Sequence, residues 1–160
     1  MIPKTLFLTL IIGITILAGC ASPPKEKTSL EIQAIQSREY ETSKRTAFNA
    51  TVSVFQDLGF TVVSADYDTG FISTKSPTKA RDVFLGGNEM KHSKATAFVE
   101  EIKSGRSRIR INFVHETLES NEGTEKNQDV ADLDPSLYEQ TFSKIQESIF
   151  IRKANIPSEQ

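Results

Sequence analysis

Two apolar spacings alternate along this chain, and the changes between them mark its elements. Residues 6–17 form an apolar run broken only by Thr9, Gly13 and Thr15. From residue 43 the spacing is helical: Ala47, Phe48, Thr51, Val54, Phe55 and Leu58 share one face, and Gly59 stops the helix. Residues 60–65 are rich in β-branched types, 66–70 carry turn residues, and 71–75 return as a second strand, predicting a hairpin. Residues 96–103 predict a third strand, Ser104-Gly105 a tight turn, and 106–115 a fourth strand. In that fourth strand Ile109, Ile111 and Phe113 alternate with Arg108, Arg110 and Asn112, so one face is apolar and the other wet. Asp134 is placed to cap a last helix, with Pro135 in its first turn. Leu137, Tyr138, Thr141, Phe142, Ile145 and Ile149 then line one face through Phe150. Residues 30–40 alternate at Leu30, Ile32 and Ala34 before Ile35 breaks the pattern, and read as a short leading strand.

These elements predict an α+β fold. An antiparallel meander of four strands, five with the leading one, has one apolar face, and two amphipathic helices cover it in a two-layer sandwich. The expected organisation is a signal peptide at 1–19, a lipidated Cys and flexible tether at 20–29, a single domain at 30–152 and a frayed tail at 153–160.

The first apolar run is too short for a membrane span, which needs ~20 residues, but it suits the central region of a signal peptide, ~7–15 residues. It ends in Leu17-Ala18-Gly19-Cys20, which resembles the bacterial lipobox at every position. That resemblance implies cleavage between Gly19 and Cys20 and lipid on the Cys20 thiol. Cys20 is the only cysteine, and lipidation would account for a lone thiol in a secreted chain. Ala21 follows, where similar proteobacterial lipoproteins retained at the inner membrane carry Asp. The expected address is therefore the outer membrane, facing the periplasm. Residues 21–29, with Pro23-Pro24 and alternating charges, would reach roughly 28 Å if extended at ~3.1 Å per residue.

Composition adds limits. The chain has 19 basic and 21 acidic residues, and a mildly negative balance argues against nucleic acid, which selects a basic face. Ten Phe without a Trp suggest a substantial core.

Phe55-Gln56-Asp57-Leu58-Gly59-Phe60, Asp68-Thr69-Gly70-Phe71-Ile72, Arg108-Ile109-Arg110-Ile111-Asn112-Phe113 and the helix from Asp134-Pro135 through Tyr138 and Phe142 to Ile149-Phe150 resemble a pattern in small proteobacterial lipoproteins of unknown function. Phe55 stands where Leu is more usual. The layout is also similar in topology to the helix-grip domains of the BamC lipoprotein of the outer-membrane β-barrel assembly machinery. The first resemblance implies fold and address, the second is one of topology only, and neither implies catalytic residues.

Motifs for chemistry are sparse. His92 and His115 are the only histidines, 23 positions apart and without metal-ligand spacing. No Gly-x-Ser-x-Gly is present. Asp66 and Asp68 suit a turn better than a catalytic pair, and Asp129, Asp132 and Asp134 lack the Gly and Glu of a calcium loop. No cofactor, metal site or enzymatic activity is expected.

Charge is segregated, however. Residues 75–94 carry five basic and two acidic side chains, and 116–134 carry seven acidic and one Lys. As loops at one end of the sheet, where the first helix also finishes, they either simply attract each other as solvated loops or form a partner-binding rim of Lys79, Arg81, Phe84, Leu85 and Lys91. The expected function is a non-enzymatic, membrane-tethered accessory or adaptor that binds another envelope component, most directly a protein. The alternative is a carrier of lipid or a small hydrophobic ligand in a helix–sheet groove.

Overall fold

The computed structural model describes residues 27–83, 87–121 and 124–154. The elements are α1 (Ser29–Gln36), β1 (Ser37–Tyr40), α2 (Lys44–Asp57), β2 (Thr61–Asp66), β3 (Phe71–Lys75), β4 (Lys79–Val83), β5 (Gly87–Lys103), β6 (Arg106–Asn121), β7 (Thr124–Asp132) and α3 (Pro135–Ala154). The fold is α+β, with one antiparallel sheet of seven described strands and three described helices. Four of the strands, β2-β3-β5-β6, are adjacent in the order the sequence predicts.

The count of four or five strands and two helices is corrected by three observations. Residues 30–40 are chiefly helix: Thr28 Oγ1 accepts the Glu31 N–H, the Glu31 carboxylate accepts the Thr28 N–H, and this reciprocal capping starts α1. Only Ser37–Tyr40 is strand, paired with Ser107–Arg110 of β6. The other two observations are β4 and β7, which occupy much of the two segments expected as charged loops. The last helix continues to Ala154, and residues 155–160 lie outside the described part.

The sheet is organised around the β5–β6 hairpin, 17 and 16 residues long. Along its first half, β3 then β2 lie beside β5 and β1 beside β6. Along its second half, β4 takes the β5 edge and β7 the β6 edge. The core belongs to the first half. Ala47, Phe48, Val54 and Phe55 of α2 and Tyr138, Phe142, Ile145 and Ile149 of α3 bury against Ile72, Ala95, Ala97, Val99, Ile109, Ile111 and Phe113. The edge-to-face contact of Phe55 with Phe113, ring centroids 6.4 Å apart, and of Phe113 with Tyr138, 5.2 Å apart, tie both helices to the sheet.

Local chemistry agrees with the predicted punctuation. Gly59 and Gly105 have φ +84° and +74°. The Asp66 carboxylate accepts the N–H groups of Asp68 and Thr69, closing the β2–β3 turn. Asp134 Oδ1 accepts the Ser136 N–H at the start of α3.

Candidate functional site

Where α2 ends, the sheet changes partners. Ser76-Pro77 separates β3 from β4 along the β5 edge. The Ser76 N–H donates to the Ser93 carbonyl and the Ser93 N–H to Ser76 Oγ, both at 2.8 Å, which carries the edge across the break. A cleft of about 510 Å³ opens here. Leu58 and Phe60 line it from the end of α2 and the approach to β2, Ser76, Pro77 and Lys79 from the β3–β4 junction, and Lys91, His92, Ser93, His115, Glu116 and Thr117 from the hairpin.

Of the five rim residues expected from sequence, Lys79 and Lys91 are brought together as cross-strand partners lining this cleft. They lie on strands, not on a loop. Arg81 is in the middle of β4, and its side chain lies outside the described part. Phe84 and Leu85, like Gly19 and Cys20, also lie outside the described residues.

The structure assembles two groups that sequence reasoning kept apart. His92 and Glu116 are cross-strand partners, both largely buried, with Nε2 2.5 Å from the carboxylate. Lys94 pairs with the other oxygen of Glu116. Burial pushes the Glu116 carboxyl up, but Lys94 and His92 together more than offset this and hold it below the usual glutamate value. His92 Nδ1 is buried and has no hydrogen-bond partner among the described residues.

The next pair along the ladder is Ser93 and His115. Ser93 Oγ lies 2.8 Å from His115 Nδ1, and His115 Nε2 lies 2.8 Å from Asp132 Oδ2. A carboxylate only accepts, so Nε2 carries the proton toward Asp132, and in the neutral ring Ser93 donates to Nδ1. The connectivity is that of a nucleophile, a base and an orienting acid. Ser93, however, sits within a regular strand, and its N–H is engaged by Ser76 Oγ. It does not itself supply the oxyanion donor that acyl transfer needs beside the nucleophile. What the relay does is link β5, β6 and β7 just beyond the core.

Neither group was legible as a pattern, because the register decides them. Continuing the Lys103↔Arg106 pairing unbroken would set His115 opposite Lys94. A bulge between Glu101 and Lys103 moves the register by one and sets it opposite Ser93.

Among the described residues no group of three or more His, Cys, Asp or Glu is placed to hold a metal, and no helix is long and apolar enough to cross a membrane.

No family model and no curated protein matches the chain. Among solved structures, it is similar to a TBP-like protein from Parabacteroides distasonis, with 15% identity, 71% of this chain and 90% of that one covered, and a TM-score of 0.37. It is also similar to a DUF4468 family protein from Bacteroides ovatus, with 9% identity, 84% and 99% covered, and a TM-score of 0.31. Likenesses this distant carry no functional argument.

Proposed function

We propose that this chain is a lipid-anchored envelope protein that works as a non-enzymatic accessory or adaptor, binding another envelope protein at the end of the sheet where α2 finishes. In this reading Cys20 carries the lipid, the address is the outer membrane facing the periplasm, and the folded part is a two-layer sandwich of the kind found in small proteobacterial lipoproteins and helix-grip domains. The observation that carries the docking reading is the pairing of Lys79 with Lys91 beside Leu58 and Phe60 in one cleft. A cationic rim around an apolar floor suits a protein segment that is both acidic and apolar, because the charges steer encounter and the apolar groups slow release.

A carrier for lipid or another hydrophobic ligand is the alternative. Phe55, Phe60 and Phe113 contact one another, and Tyr138 contacts Phe113, between the helices and the sheet. That favours a solid core over a carrier groove.

The test is photo-crosslinking in the native envelope from positions 79 and 91. The expected product is a discrete protein adduct that disappears on reversing charge at the neighbouring lysine. Capture of lipid alone would overturn the reading.

A further inference from the structure

The sheet has a notch. Along the core half of the hairpin it is five strands wide, β1-β6-β5-β3-β2, and β2 begins at Thr61 opposite Lys75, the last residue of β3. Beyond that point β4 continues the line of β3 along the β5 edge, from Lys79↔Lys91 to Val83↔Gly87. Among the described residues no strand continues the line of β2, so the outer edge of β4 has no strand partner there. The vacant position is five residues long, roughly 17 Å at ~3.4 Å per residue. Leu58, Gly59 and Phe60 stand at one end, where the cleft opens. Pro77 sits at the corner and has no N–H to offer a neighbour, which suits an edge where the chain's own β2 stops.

We propose that an extended acidic segment of the partner protein adds at this notch as a strand beside β4. The proposal rests on the docking reading above and specifies its geometry. Main-chain hydrogen bonds from the β4 edge would supply the holding energy, and alternate side chains the selection. The charges decide the occupant. β4 carries Lys79 and Arg81 against the single Asp82; across the ladder Glu89 stands opposite Arg81 but Lys91 opposite Lys79, so the positive charge concentrates at the Lys79 end, beside the cleft. A second copy would bring an edge of the same net positive charge, whereas an acidic segment brings the opposite charge to the Lys79 end. The charges that discourage indiscriminate edge pairing therefore select an acidic strand.

The experiment uses the full-length chain purified from the envelope in detergent and three blocked heptapeptides. One alternates Val and Glu, one alternates Val and Lys, and the third is the Val/Glu peptide with two adjacent central amides methylated, which removes a donor from each edge. At about ten times its Kd, the Val/Glu peptide should slow amide exchange of the outward β4 amides by about tenfold. Lys79→Glu should weaken it, and the other two peptides should have no effect. Equal protection by the Val/Lys or methylated peptide, or none from any peptide, would overturn strand addition. A dimer with β4 protected before any peptide is added would assign the notch to a second copy and also overturn it. The two failures are distinguishable. An envelope protein crosslinked at position 79 with β4 unprotected leaves docking standing and strand addition fallen. Lipid alone captured at position 79 overturns docking and with it a protein occupant, even where the acidic peptide protects β4 and so shows the edge able to take a strand.

Discussion

The hydroxyl of Tyr138 accepts the buried N–H of Phe113 at 3.2 Å and donates to the carbonyl of Asp132 at 2.9 Å. It plugs a gap in the sheet. On the outer edge of β6, β1 pairs only as far as Arg110 and β7 begins pairing at Phe113. Tyr138→Phe keeps the ring and removes the plug, leaving a buried backbone donor without a partner. The expected loss is about 1–3 kcal/mol, measured as a lower urea midpoint with unchanged m-value.

Two glycines separate backbone conformation from space. Gly105 has φ +74° and open surroundings, so Gly105→Ala should cost about 1–2 kcal/mol, the price of a left-handed backbone. Gly70 has φ +79°, and a Cβ there would lie 2.1 Å from the Val99 carbonyl oxygen, whose N–H in turn donates to the Gly70 carbonyl. Gly70→Ala should be clearly more destabilising than Gly105→Ala in parallel urea unfolding. Equal losses would show that β5 moves away freely.

Glu116 sets part of the acid response. Its folded-state carboxyl is held below the ordinary value of 4.5, so the unfolded chain binds that proton more tightly. Its contribution is therefore present above pH 4.5 and is lost as pH falls through the folded value. Glu39, held low chiefly by its hydrogen bond from Arg108, and Asp66 and Asp134, held low by backbone N–H groups, act in the same direction. Glu116→Gln should be less stable at neutral pH and show a shallower fall in urea midpoint below pH 4.5. A fall as steep as that of the native chain would remove Glu116 from this role.

The Ser93–His115–Asp132 relay provides a check on the non-enzymatic reading. A fluorophosphonate probe should leave Ser93 unmodified by mass spectrometry, because its own N–H is engaged by Ser76 Oγ and does not serve as an oxyanion donor beside the hydroxyl. Ser93→Ala should instead lower stability, by about 0.5–1.5 kcal/mol for one hydrogen bond. A stoichiometric adduct on Ser93 that is absent in His115→Gln would overturn the non-enzymatic reading.

The acidic and basic segments were legible as charge but not as structure. Residues 79–83 and 124–132 pair at the edges of the hairpin beyond the part covered by helices. A strand shows apolar alternation only where one face is buried. Residues 126–130 are all exposed, so nothing in their pattern distinguishes a strand from a loop. Residues 30–36 misled for a related reason: α1 buries no residue fully, so its helical period is faint, and the capping pair Thr28 and Glu31 is the clearer signal.

The sequence by itself determined what depends on neighbours along the chain. Helix stops and turns at Gly59, Gly70 and Gly105, the cap at Asp134, the buried faces of α2 and α3, and the order of the β2-β3-β5-β6 meander all follow from local spacing and backbone preference. The tertiary structure alone decided what depends on register and edges. A one-residue bulge selects Ser93 as the partner of His115, and the lengths of β2 and β4 leave the notch beside Lys79. Both are set by how distant segments meet in the sheet, where a shift of one residue replaces every partner across the ladder.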